Sequence, residues 1–189
     1  MSFLAAAITV SAQTVVDDTG LFDAAAPAGP RADGQWRTYG GDHAETRFST
    51  LDAINVDNVE RLALAFSVEV GSDGARLEAT PLVIDGVLYG TTAWNVTFAI
   101  DLRTESLKWR WDPGIVRSTE AGGPRLCCGG VNRGAAYHDG KVYVGLLDGR
   151  LAALDAESGH IVWIVQTAPP ERIYSITSAP RIVKDKVIV

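Results

Sequence analysis

The sequence predicts an all-β protein assembled from repeated four-stranded units, and three observations carry that prediction. Nineteen glycines and five tryptophans sit in a chain that is 47% hydrophobic and 21% charged, a composition that forms a core, with few long helical patterns. A hairpin signal recurs: residues 81–89, turning at Asp85-Gly86, return 54 residues later as 135–144, turning at Asp139-Gly140. A tryptophan pattern recurs in step. Ala99, Asp101, Thr104 and Trp109 reappear at the same offsets as Ala153, Asp155, Ser158 and Trp163, again 54 residues on. Two signals sharing one period argue against chance.

Taken in order, residues 3–10 (Phe-Leu-Ala-Ala-Ala-Ile-Thr-Val) form an apolar run ending near a small-x-small site at Val10-Ser11-Ala12. The run is too short to cross a membrane, which takes about 20 apolar residues. It reads as a residual signal-peptide-like segment over 1–12, although the first Lys or Arg is Arg31. That would place the mature protein in an oxidising compartment, as an exported protein. Residues 13–35, rich in Ala, Asp, Gly and Pro, read as a flexible lead-in, and 36–189 as the folded part.

Within that part, Ser49, Thr50 and Asp52 offer caps for a helical start of one or two turns over 49–58. Residues 62–70 alternate Leu62, Leu64, Phe66, Val68 and Val70 with smaller or polar side chains, the period of a half-buried strand. The two hairpins and two tryptophan patterns follow, and a third hairpin begins at Pro180, 45 residues after the second. Glu105 stands where Gly159 supplies the turn glycine of the second copy, so the first turn lacks a residue at ease with positive φ. Units of about 40–50 residues with four strands each are propeller blades. Propellers close with about 4–8 of them. The chain holds two blades and the start of a third, and is expected to belong to a longer polypeptide.

The net charge of −6, with no Lys/Arg cluster, excludes a nucleic-acid partner. The chemistry concentrates in Arg125-Leu126-Cys127-Cys128-Gly129-Gly130-Val131-Asn132-Arg133-Gly134, which holds both cysteines of the chain. Adjacent Cα atoms are about 3.8 Å apart, below the usual disulfide span of about 4.4–6.8 Å. A bond between these neighbours closes a strained ring, a flat sulfur surface suited to a planar ligand. Two free thiols, or bonding elsewhere, are the other readings, and no CxxC or nearby His completes a metal site. Arg133 is either a surface arginine or a forked donor to a ligand carboxylate. Glu78 precedes the first hairpin and Thr177 the third, so polar groups collect at one end of the repeats, where loops carry sites.

These residues resemble the quinoprotein alcohol dehydrogenases that use pyrroloquinoline quinone (PQQ), of the methanol and ethanol dehydrogenase type. The likeness rests on Trp36-x-x-Tyr39-Gly40 with Thr46-Arg47-Phe48-Ser49, and on Glu78-Ala79-Thr80-Pro81-Leu82-Val83. It extends to Cys127-Cys128-x-x-Val131-Asn132-Arg133-Gly134, the two tryptophan motifs, and Thr177-x-Ala179-Pro180. The resemblance implies an eight-bladed propeller of which about the first two to three blades are present. It implies a Cys127–Cys128 vicinal disulfide against one face of PQQ, with Glu78, Arg133 and Thr177 at its polar rim. Gly129 and Gly130 depart from a family pattern in which Asp often follows the cysteines. The implied activity is oxidation of a small primary alcohol to an aldehyde by hydride transfer to PQQ. Ca²⁺ or a lanthanide and an Asp base assist, and a periplasmic cytochrome c accepts the electrons. By the same resemblance, the catalytic Asp and the metal ligands lie outside this chain, which alone is expected to be inactive. The alternative is a non-catalytic envelope scaffold propeller with the same tryptophan motif.

Overall fold

The computed structural model describes residues 34–42, 44–71, 76–126, 128–169, 171 and 174–189. The apolar start and all of the lead-in except Gly34 and Gln35 lie outside the described residues. Among the described residues there is no α-helix, and the strands form antiparallel meanders. The first sheet runs β1 (Leu82–Ile84), β2 (Val87–Thr91), β3 (Thr97–Asp101) and β4 (Ser106–Trp111), in that spatial order. The second runs β5 (Ala136–His138), β6 (Lys141–Gly145), β7 (Arg150–Asp155) and β8 (Ile161–Gln166). A third pairs β9 (Arg181–Val183) with β10 (Lys186–Ile188).

Turn chemistry sets these registers. Asp85 and Gly86 take φ of 51° and 79°, and Asp139 and Gly140 take 46° and 66°. Positive φ at both central residues is the turn whose twist matches a hairpin. The third hairpin turns with Lys184 at φ 54°. Both sheets also carry a register shift at matching positions, between Ala99 and Ile100 and between Ala153 and Leu154. The repeat is therefore one of backbone geometry as well as sequence.

The core lies between the sheets. Leu82, Ile84, Val87, Tyr89, Ala99 and Trp109 of the first meet Ala135, Val142, Leu154 and Ala156 of the second. Trp109 locks this seam: its indole N–H donates to the Ala156 carbonyl at 2.9 Å, and its ring lies over Gly159, where a Cβ would sit 2.6 Å from Cδ2. Burial holds the Tyr89 phenol protonated well above its usual range. The opposite face of the second sheet, Ala136, Tyr143 and Ala153, packs on Ile182 and Val187 of the third.

Two expectations need correction. Residues 62–70 form no strand: Leu62 and Leu64 are exposed, while Phe66, Val68 and Val70 are half-buried. The alternation is present, but a strand is defined by its ladder, and none of the described strands pairs with this segment. The helical turn comes at Val59–Arg61 rather than over 49–58. Within 49–58 the polar side chains serve local turns instead: Ser49 Oγ accepts from Leu51 N–H at 3.2 Å and Asn58 Oδ1 from Asn55 N–H at 2.9 Å. The missing turn glycine has a different outcome. Glu105 enters the left-handed region anyway, at φ 55°.

Candidate functional site

The site starts from three backbone segments, each leading into the first strand of a sheet. Thr80 and Gly134 form a parallel bridge. Thr80 N–H donates to the Arg133 carbonyl at 3.2 Å, and Arg133 N–H donates to the Thr177 carbonyl at 2.9 Å. The lead-ins to β1, β5 and β9 thus run side by side, and side chains far apart in sequence become neighbours. Arg133 Nη1 donates to Thr177 Oγ1 at 2.9 Å, and Arg133 Nη2 lies 3.7 Å from Glu78 Oε2. Glu78, Arg133 and Thr177, singled out separately in the sequence, form one polar cluster.

The cluster is anchored but open. The Arg133 and Glu78 side chains keep 42% and 35% of their surface exposed, so solvent screens their pairing. A pair of this kind contributes about 0–1 kcal/mol. Its use is chemical: the planar guanidinium retains donors for an acidic ligand beside a hydroxyl and a carboxylate.

Asn132 fixes the stretch that carries Arg133. It is 2% exposed, and its Oδ1 accepts from Thr91 Oγ1 at 2.7 Å and from Gly134 N–H at 2.8 Å. Its Nδ2 donates to the Gly145 carbonyl at 3.1 Å. One buried amide therefore ties this loop to both sheets. Upstream, Cys128 is exposed, and Gly129 turns at φ 82°. Cys127, and with it any Cys127–Cys128 bond, lies outside the described residues. Sequence reasoning passed over Trp94 and Asn95. The signal was there: they replace the Asp148-Gly149 turn of the second repeat. Among the described residues no group of three or more His, Cys, Asp or Glu side chains is placed to hold a metal.

A family model described as "Glucose/ethanol/alcohol dehydrogenase, beta-propeller domain", of the PQQ group, matches residues 36–189. The chain belongs to this PQQ dehydrogenase family. Among its relatives, the 1-butanol dehydrogenase (cytochrome c) of Thauera butanivorans is 46% identical over 159 residues, covering 84% of this chain and 22% of that protein. The crystal structure of the quinohemoprotein alcohol dehydrogenase of Comamonas testosteroni superposes with a TM-score of 0.77 at 45% identity, over 91% of this chain and 24% of that one. A europium-containing methanol dehydrogenase gives 0.71 at 40% identity, over 82% of this chain and 27% of that one. The chain thus spans about a fifth to a quarter of the length of the relatives it matches. The repeated sheets of this family member are propeller blades, and the polar cluster lies where three successive blades begin.

Proposed function

We propose that this chain supplies part of the PQQ seat of a dehydrogenase that oxidises small primary alcohols to aldehydes. The observation that carries the reading is the convergence of Glu78, Arg133 and Thr177 at 2.9 and 3.7 Å from three separate blades. The donor set fits the cofactor: a guanidinium and a hydroxyl suit an acidic rim, and Glu78 stands as a counter-charge 3.7 Å from the guanidinium. When bound, PQQ supplies the hydride acceptor for alcohol oxidation. The residues of this chain bind and orient it. Arg133 holds an acidic group, Thr177 and Glu78 fix the guanidinium, and Asn132 keeps Arg133 in place through two sheets. Cys127 and Cys128, joined as a vicinal disulfide, would offer a rigid apolar surface to one ring face.

We assign the catalytic Asp and the ligands of a Ca²⁺ or lanthanide ion to the three-quarters of the relatives' length that this chain does not span; the europium-containing neighbour supports the metal class. The relative named for cytochrome c supports a cytochrome c as electron acceptor, which for an exported enzyme would be a periplasmic one. The apolar run over 3–10 supports export to the periplasm. A scaffold propeller would need the tryptophan seams but not the Arg133 cluster.

The test uses the protein expressed from the complete reading frame that carries this sequence. Reconstituted with PQQ and calcium, it is expected to oxidise ethanol or 1-butanol with an artificial electron acceptor. Arg133→Ala should weaken PQQ binding by about 10- to 100-fold, the loss of a charge-assisted pair. Absence of any PQQ-dependent turnover in the wild type would sink the proposal.

A further inference from the structure

The two blades close the turn after their second strand differently. In the second blade, Leu146 N–H donates to the Arg150 carbonyl at 2.8 Å across Leu147-Asp148-Gly149, and Gly149 takes φ 80°. In the first, Thr92 N–H donates to the Val96 carbonyl at 2.7 Å, but across Ala93-Trp94-Asn95. Asn95 occupies the glycine position at φ 63°, and Trp94 stands at φ 60°. A bulky aromatic at positive φ is an outlier, and such strain persists only where the surroundings over-determine it.

The surroundings are identifiable. Asn95 is fully buried; its Oδ1 accepts from Leu147 N–H at 2.9 Å and its Nδ2 donates to the Gly145 carbonyl at 3.1 Å. That is the same carbonyl that receives Asn132 Nδ2 from the cysteine loop. So held, Trp94 donates its backbone N–H to the Gly130 carbonyl at 2.7 Å. Its indole covers Gly130 so closely that a Cβ there would lie 2.5 Å from Cε2. Arg117, from the stretch joining β4 to the cysteines, sets its guanidinium 5.4 Å from the ring centroid. Gly129, by contrast, would meet nothing within 4 Å of an added Cβ. The loop is gripped at Gly130 and at Asn132, and Gly129 is open between the grip and Cys128.

We propose that Trp94 is a positioning residue for the ligand-facing stretch 128–133. Its strained turn carries an aromatic plate on which Gly130 rests, and this sets where Cys128 and Arg133 stand relative to each other. Asp-Gly in the second blade is the relaxed form of the turn; Trp-Asn gives up that ease to hold the loop. The inference rests on reading the stretch as one wall of the PQQ seat.

The experiment uses the protein from the complete reading frame, with Trp94→Ala, Trp94→Phe, Gly130→Ala and the double variant Trp94→Ala/Gly130→Ala. Two quantities are read in protein whose melting transition shows it folded: the PQQ dissociation constant of the apo form with calcium saturating, and, without cofactor, the rate at which the reduced cysteines react with an aromatic disulfide reagent. Trp94→Ala and Gly130→Ala are each expected to weaken PQQ by about tenfold and to change the cysteine rate by a similar factor, and the double variant to be no worse than either single one. Trp94→Phe should restore both. With a wild type that binds PQQ, the proposal falls if either quantity stays unmoved in Trp94→Ala or if the single losses add in the double variant. If Trp94→Ala does not fold, Gly130→Ala decides by the same criterion. A wild type that binds no PQQ overturns the cofactor reading instead, and the cysteine rate alone then decides the role of Trp94.

Discussion

The first and second blades are built from one 54-residue pattern, yet they meet their surroundings differently. Trp109 of the first blade is 8% exposed, bonded to Ala156 and seated on Gly159 of the second. Trp163, its counterpart, is 37% exposed and touches Tyr143 of its own sheet at 5.8 Å between ring centroids. All six residues of β8 are exposed, whereas β4 buries Trp109 and half-buries Lys108 and Trp111. Trp109 has the complete second unit and its turn glycine against it, whereas Trp163 has beyond it only strands β9 and β10 of the third unit among the described residues. A blade is therefore finished by its successor, and that dependence can be tested by substitutions at paired positions.

The largest effect is expected at the buried tryptophan. In the 189-residue chain, Trp109→Ala should cost about 3–5 kcal/mol in denaturant unfolding, and Trp163→Ala about 1–2 kcal/mol. Equal losses would break the distinction between the two blades. Next comes the receiving glycine. Gly159→Ala should cost about 2–3 kcal/mol, because its φ is 72° and the new Cβ would meet the Trp109 ring. The same substitution at Gly140, also at positive φ but with nothing within 4 Å, should cost clearly less by the same measurement.

A smaller effect concerns the turn aspartates. Backbone N–H bonds, first from Arg103 and then from Thr104, hold the Asp101 carboxyl below its usual range. For Asp155 the leading cause is the Ser158 hydroxyl, at 2.6 Å, followed by the Ser158 backbone. Both folded pKa values are depressed. The stability these groups lend is therefore present above the ordinary carboxylate range and is lost as pH falls through the folded values. Ser158→Ala should move the Asp155 titration upward in a carbon-detected NMR experiment. Thr104→Ala should leave Asp101 nearly in place, because the Thr104 hydroxyl bonds Ser106 Oγ at 2.8 Å instead. A large shift at Asp101 would show that the two turns are closer in kind than their bonds indicate.

The smallest effect is expected at Glu105, at φ 55°. Glu105→Gly removes a left-handed strain of about 1–2 kcal/mol but adds about 0.4–1 kcal/mol of unfolded-chain entropy. The net should be a gain of about 0–1.6 kcal/mol in unfolding free energy. A loss would mean that the glutamate side chain has a role its exposed position does not reveal.

The local features were legible because their causes are local. Asp-Gly dictates a hairpin turn wherever it stands between two apolar runs, and the Asp and Thr/Ser of the tryptophan motif shape the following turn through their own backbone. Glu78 and Thr177 could be singled out as polar groups ahead of hairpins and Arg133 as a forked donor beside the cysteines, but only the backbone contacts among three lead-ins bring them together. The strand expected over 62–70 shows the opposite limit. Its alternation is correct, but a ladder needs a partner that no pattern within the segment can supply.

By itself, then, the sequence determined the repeat, the hairpin registers and the residue types of the site, because these follow from backbone preference and side-chain chemistry within a few positions. Tertiary structure decided the rest. It made Trp109 a seam with Ala156 and Gly159, because burial belongs to the pair of surfaces and not to either one. It also put Trp94 against Gly130. These residues lie 36 positions apart, and the loops that carry them are both tied to the Gly145 carbonyl, by Asn95 and by Asn132.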